Sequence, residues 1–253
     1  MFAYIINMDS AVERWAHVES SFSLTGIPFQ RISGVNGRTL EFPILEFDER
    51  LYRKRHGKLP NAGQIGCYMS HLRALDVFLE SKQDFGIICE DDIRPVSNLH
   101  NIVKEATVYR NVWDILRLSG FHNSHPRRFA QLSDGYSIAV NFTRLCGTGA
   151  YMLNRHAAQV LRKALVPMWV PIDHALDREW AYGLNAASIY PLPISQEDHS
   201  FESQTTPSKN EKLPAWQRYW TVLPYRTANE INRFLARGRQ LRRARTNYSG
   251  IGA

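Results

Sequence analysis

No run of apolar residues in this 253-residue sequence approaches the roughly 18 that a membrane-spanning helix needs, so no spanning helix is expected. Cysteine is scarce. Cys67, Cys89 and Cys146 are odd in number and lack any paired C-x-x-C spacing, which argues against a disulfide framework and a zinc site. They read as buried thiols of a reducing compartment. The opening MFAYIINMDS has no basic n-region and meets Asp9 early, so no signal peptide is expected and the chain reads as cytosolic. Internal repeats and low-complexity segments are missing as well.

Charge of one sign is missing from most of the chain, although the total is +7. From Lys212 onward nine basic residues face one acid, Glu230, so the tail carries +8 and residues 1–211 carry −1. A body this close to neutral is not that of a nucleic-acid-binding fold, which spreads basic residues over one face. No nucleic-acid partner is expected.

Apolar and β-favouring runs alternate with helical periodicity. FAYIINM reads as a strand, followed by a helix over AVERWAHVESSF that Asp9 or Ser10 would cap; GIPFQRISGVNG reads as a second strand between turns. Residues 38–60 read as a peripheral loop. From Gly63, the apolar residues Ile65, Met69, Leu72, Leu75 and Leu79 recur at helical spacing. DFGIICE is a continuous apolar strand of the kind buried on both faces of a sheet. NVWDILRLSG adds a strand with a helix before it, residues 121–137 read as a mobile loop, and LCGTGAYMLNRHAAQVLRKAL runs through a glycine turn into strand and helix. WVPIDHALDREWAYG starts another helix and ASIYPLPISQEDHS a last strand. The alternation predicts an α/β fold with a mixed central sheet over residues 1–209, and an aromatic and basic helical extension over 210–253.

The strand FGIICEDD ends in three carboxylates, Glu90, Asp91 and Asp92. Side chains alternate along a strand, so Glu90 and Asp92 share a side that Asp91 does not. Ligands of open α/β sheets bind beyond the carboxyl ends of the strands. A carboxylate pair there can hold a hard divalent cation, and through it a diphosphate. A solvated acidic turn is the competing reading.

The ordered succession YIINMDSAVERW, AGQIGCYMSHLRAL, FGIICEDD, WDILRLS, CGTGAYMLNRHAAQVL and PIDHAL resembles glycosyltransferase family 25. That family comprises bacterial lipooligosaccharide galactosyltransferases and related collagen galactosyltransferases, and the resemblance spans Phe2 to Glu202. It implies a GT-A-like, Rossmann-like nucleotide-sugar-binding domain, inversion at the anomeric carbon, and UDP-galactose with manganese (Mn2+) as the commonest pairing. Glu90, Asp91 and Asp92 match the family's variant of the Asp-x-Asp motif, with Asp92 as the direct metal ligand and Glu90 beside it. The sequence departs from the family at Gln64, where members often carry glutamate, and over Phe121 to Tyr136.

An inverting transfer needs a general base and no protein nucleophile. Asp173 is the first candidate, with an N-cap as its alternative role; Glu197 and Asp198 are the others, and Asp177 reads as a surface residue. His199 is a candidate third metal ligand or a plain loop histidine. His71 either contacts the donor or packs against the core. Gly147, Thr148 and Gly149 allow close backbone approach to a sugar or form a tight turn. Asn7 and Asp9 stand where a base or ribose would dock, or cap the next helix. In the tail, Ile231, Phe234, Leu235 and Leu241 would form an apolar stripe, with six arginines from Arg233 to Arg245 as the remaining surface. That pattern suits an anionic inner-membrane surface at the cytoplasmic face, and a lipid-linked acceptor. A non-catalytic sugar-nucleotide-binding or glycan-binding protein and a basic-tail RNA binder are the competing classes.

Overall fold

The structure, a computed structural model, describes residues 1–121, 124–196 and 212–248. Ten strands and seven α-helices follow one another as β1 (Phe2–Asn7), α1 (Val12–Ser23), β2 (Phe29–Ser33), α2 (Glu49–His56), α3 (Ala62–Glu80), β3 (Phe85–Glu90), β4 (Ile93–Pro95), α4 (Leu99–Ala106), β5 (Ile115–Arg117), β6 (Pro126–Gln131), β7 (Ser137–Asn141), β8 (Ala150–Asn154), α5 (Arg155–Ala164), α6 (Ile172–Leu176), β9 (Ala186–Tyr190), β10 (Ile194–Gln196) and α7 (Ala215–Tyr248). Eight strands form one mixed sheet in the order β2-β1-β3-β8-β5-β9-β7-β6, in which β8 and β7 run against the other six. The α/β architecture and the C-terminal helix match the sequence expectation.

Two apolar cores flank the sheet. One packs Val18 and Phe22 of α1 and Leu99, Ile102 and Val103 of α4 against Ile5, Ile87 and Met152. The other packs α3, α5 and α6 against Tyr4, Ile88 and Leu153. Strands β1 and β3 are thus covered on both sides, and their carboxyl ends point out of the same edge of the sandwich. Helix α3 starts at Asn61, whose side chain accepts from the Gly63 amide at 2.8 Å, a regular N-cap. A Cβ on Gly66 would stand 2.4 Å from the Val35 carbonyl oxygen, so glycine lets the 35–39 loop press against this helix.

Several local expectations change. Helix α1 begins after Ala11, which makes no side-chain cap, and Asp9 and Ser10 precede it. Residues 38–60 hold helix α2, capped by the Asp48 side chain and closed by Gly57 in the left-handed region; its short, mostly basic sequence gave no apolar periodicity to read. Within 121–137 lies strand β6, at the sheet edge and paired only with β7. Its polar surface is what an edge strand tolerates.

The largest change is in α7. Ile231, Phe234 and Leu235 of its apolar stripe are exposed, Phe234 resting edge to face on Phe142 at 5.1 Å. Leu241 is buried, and so are Arg233 and Arg237, expected at the surface, beside Asn229, Gln240 and Ala244. Arg237 Nε pairs with Glu179 at 2.6 Å and its Nη1 donates to the Asn141 carbonyl at 2.8 Å. Arg233 donates to the Asp177 carbonyl at 3.3 Å and contacts Glu230. Gln240 reaches the Val112 and Ala186 carbonyls, both at 3.0 Å. Unpaired backbone carbonyls and one buried acid on the body call for donors, and α7 supplies them. No helix among the described residues is long and apolar enough to cross a membrane.

Candidate active site at the carboxyl ends of two parallel strands

A cleft of about 820 Å³, open to solvent, lies where β1 and β3 end. Its walls come from Asn7 and Met8 after β1, Arg14 of α1, the 35–38 loop, one face of α3 and the three acids after β3. The acids diverge as strand alternation predicts. Glu90 turns toward α3, where His71 Nε2 lies 3.3 Å from Oε1 and the Thr148 hydroxyl donates to the same oxygen. The other ring nitrogen of His71 meets the Tyr151 hydroxyl at 3.0 Å. Burial opposes ionisation of Glu90, but the hydrogen bonds from His71 and Thr148, with Arg14 nearby, hold its carboxyl below the ordinary value.

Asp91 is buried between Arg14, whose guanidinium contacts Oδ1, and Asn7, whose Nδ2 donates to Oδ2 at 2.6 Å. Burial nevertheless raises its carboxyl. Asp92 stands 3.9 Å from Arg14 and its Oδ1 is buried with no hydrogen-bond partner among the described residues. Burial, then the charge of Glu90, push its carboxyl up to about 7 against the pull of Arg14. Asn7 Oδ1 is likewise buried and unpartnered there. Two oxygen acceptors thus line the cleft without donors.

Cys67 was not expected here. Its thiol, a ring nitrogen of His71 and a Glu90 oxygen lie within 4.8 Å of one another. The signal was present in the sequence, because Cys67 and His71 stand four residues apart on one helical face. Burial first, then Glu90, Asp173 and Asp92, push the thiol well above its usual value. Arg14, Asn36 and Arg38 were also missed; Arg14 lies within the stretch YIINMDSAVERW, whereas no motif marks Asn36 or Arg38.

Strand β10 pairs with β4 as a short antiparallel ribbon beside the acids and lays Gln196 across the glycine turn. A Cβ on Gly149 would stand 2.5 Å from the Gln196 amide, and one on Gly147, whose φ is +72°, 2.8 Å from Phe121. The turn is glycine because these side chains cross it. Arg117 donates to the Cys146 carbonyl at 3.2 Å and to that of Gly147, and pairs with Asp177 at 3.2 Å; Asp177 in turn accepts from the Cys146 amide at 3.1 Å. Asp177, expected at the surface, is therefore buried and braces the turn.

Not every expected residue meets the cleft. Asp9 is exposed, accepting from Ser33 Oγ at 2.9 Å. Asp173 sits in the first turn of α6, where it makes no capping bond and adds to the field that raises Cys67 and Cys146, without lining the cleft. Gln64, the departure from the family, accepts from the Tyr52 hydroxyl at 2.6 Å, a bond that needs no charge on the acceptor. Glu197, Asp198 and His199 lie outside the described residues.

Residues 1–176 match the family described as glycosyltransferase family 25 (LPS biosynthesis protein). The lacto-N-neotetraose biosynthesis glycosyltransferase LgtB of Neisseria gonorrhoeae is 24% identical over 220 residues, 78% of this chain and 74% of that one. The lipooligosaccharide biosynthesis protein lic2B of Haemophilus influenzae is 25% identical over 166 residues, 62% of this chain and 61% of its own length. A further Haemophilus influenzae sequence is 29% identical over 101 residues, of which this chain spans 36%. Among solved structures, that of Staphylococcus aureus TarS residues 1–349 aligns with all of this chain and 75% of that one, at a TM-score of 0.48 and 11% identity.

Proposed function

The chain belongs to glycosyltransferase family 25, and on that premise we propose that it is an inverting transferase moving galactose from UDP-galactose to a lipooligosaccharide acceptor with formation of a β-glycosidic bond. The observation that carries the reading is Asp92, a partly buried carboxyl at the strand ends whose Oδ1 is buried with no partner among the described residues. Together with Glu90 it offers the hard oxygen donors that suit a divalent cation such as Mn2+. Such an ion, when bound, offsets the negative charge of a departing diphosphate. His199 belongs to the same proposal as a further ligand.

The remaining roles fall to the chain itself. Arg14 neutralises Asp91, and that pair with Asn7 fixes the turn that presents Asp92. His71 and Thr148 orient Glu90 and keep it ionised. Asn7 Oδ1 faces the cleft as an acceptor for a donor N–H of the nucleotide, and Asp9 lies at the same strand end. The Gly147–Gly149 turn, held by Arg117 and Asp177, shapes the wall beside the sugar. Asp173 takes the proton from the acceptor hydroxyl as that oxygen attacks the anomeric carbon from the face opposite the diphosphate. Inversion needs only this one base.

We assign catalysis to residues 1–209 and surface association to 210–253, at the cytoplasmic face of the inner membrane where a lipid-linked acceptor is presented. The lipooligosaccharide and lacto-N-neotetraose assignments of the relatives support this acceptor class. The experiment is donor hydrolysis across a panel of nucleotide sugars, with manganese or with chelator. Slow, manganese-dependent release of UDP from UDP-galactose, lost in Asp92→Ala, is the expected result. Release from another donor alone overturns the galactose assignment, and absence of donor binding by calorimetry with manganese present overturns the metal–diphosphate reading.

A further inference from the structure

The large exposed apolar side chains of α7 lie on one face, with Phe234 also resting edge to face on Phe142 of the body at 5.1 Å. Trp216, Trp220, Leu223, Ile231 and Phe234 follow at helical steps of three, four and eight residues, and each is between 51% and 73% exposed. Tyr219 and Leu235 flank them at 60% and 50%. Soluble monomers rarely leave so many large apolar side chains uncovered on one helix face, here in two groups with Thr227 between them. Its composition is specific too. The N-terminal half carries two tryptophans and a tyrosine, with Tyr219 and Trp220 packed edge to face at 5.4 Å, and such rings settle where an apolar phase meets water.

Positive charge brackets the stripe. At one end α2 lies along α7, and a shallow groove between them is lined by Arg50, Arg53, Lys54, Gln217 and Thr221, with Glu49 ion-paired to Arg53. Arg50 and Lys54 are exposed. At the other end Arg239, Arg242, Arg243 and Arg245 are exposed, with no acid following Glu230. The two buried arginines, by contrast, are consumed in holding the helix to the body.

We infer that this face of α7, with the α2 groove, is a docking surface for an anionic phospholipid bilayer: the apolar stripe enters the interfacial layer and the two arginine clusters meet acidic headgroups. A second copy of the chain fits less well, because a two-fold contact brings each patch against itself and sets arginines against arginines. Nucleic acid fits less well, because the face is dominated by large apolar side chains and carries the acid Glu230 near its middle. The inference rests on the reading of a membrane-borne acceptor and locates the surface that would reach it.

The test uses the full chain without donor or acceptor. Vesicles of phosphatidylcholine with one quarter phosphatidylglycerol are compared with pure phosphatidylcholine by flotation and by tryptophan emission. Expected are partition at least tenfold stronger onto the anionic vesicles, weakening with salt, and a blue-shifted emission from Trp216 and Trp220. Trp220→Ser with Phe234→Ser should lower partition at least tenfold, and Arg50→Gln with Lys54→Gln severalfold, while both keep manganese-dependent donor hydrolysis and the wild-type circular dichroism. Equal partition of wild type and variants, or none onto anionic vesicles, overturns the proposal. A dimer by light scattering that Trp220→Ser with Phe234→Ser dissolves would assign the face to a second copy instead. RNA binding that outcompetes vesicles would equally overturn it. Because hydrolysis and flotation are separate readouts, Asp92→Ala should lose the first and keep the second. Failure of the docking surface is thereby distinguished from failure of the transferase reading.

Discussion

Arg14 contacts Asp91 and stands 3.9 Å from Asp92, so one guanidinium serves the first of two adjacent acids more closely than the second. On the proposed function Asp91 is then a structural residue, and Asp92 the acid that would hold the cation. Asp92→Ala should lower manganese-dependent donor hydrolysis by about 10²-fold or more, the range for loss of one group that stabilises developing charge. Asp91→Ala should instead lower stability by about 1–3 kcal/mol, through the Asn7 and Arg14 donors that lose their acceptor. Steady-state release of the nucleoside diphosphate and urea unfolding separate the two.

Asp92 also sets a pH dependence. Its carboxyl is raised to about 7 by burial and by Glu90, above its value in the unfolded chain. Between about pH 4 and 7 the folded state therefore holds a proton that the unfolded state lacks, and stability falls as pH rises through that window. Asp92→Asn should stabilise the metal-free protein by about 1–3 kcal/mol at pH 8 and by little at pH 4, as unfolding curves at the two pH values would record. Manganese affinity of the wild type should run the other way and weaken as pH drops below 7.

The contact between Gly149 and Gln196 predicts a compensating pair. Gly149→Ala brings a Cβ within 2.5 Å of the glutamine amide, and overpacking of this kind costs about 1–3 kcal/mol. Gln196→Ala in the same chain should recover most of that loss, and a double-mutant cycle on thermal unfolding measures the coupling. Independent effects of the two substitutions would mean that the turn accommodates the Cβ by moving.

The buried ion pair of Arg237 with Glu179 holds α7 to the body. Arg237→Ala strands a carboxylate and should cost about 3–5 kcal/mol, whereas Ile231→Ser, on the exposed face, should stay within about 0.5 kcal/mol. Calorimetric melting of both variants checks the assignment of buried and exposed faces.

What the sequence disclosed and what it hid follow from where the signal resides. Strands β1 and β3, helix α3 and the acidic turn were legible because buried runs and helical stripes are local patterns, and strand alternation already separated Asp91 from Glu90 and Asp92. Helix α7 was legible as a helix, but two of its arginines and Leu241 were placed at the surface and are buried. Binary patterning assigns arginine to solvent, yet unpaired carbonyls of Asp177 and Asn141 and the buried Glu179 draw Arg233 and Arg237 inward. Those partners lie 56 to 96 residues away in sequence, beyond any window of periodicity. Asp177 was misplaced for the same reason, since its partner Arg117 belongs to another strand. Strand β6 escaped because an edge strand with exposed arginines carries no apolar alternation.

The ribbon of β4 with β10 joins segments about 100 residues apart, and it bears on when the protein acquires its function as well as how. The acids of the cleft leave the ribosome early, but the strand that brackets them and the glutamine that closes the glycine turn are made near the end of the catalytic region. A nascent chain that has folded β1, α3 and β3 thus carries its carboxylates without the frame that fixes their separation. The ribbon is complete only once residue 196 has been made, so a shorter chain holds the three acids without the strand that pairs with β4 beside them.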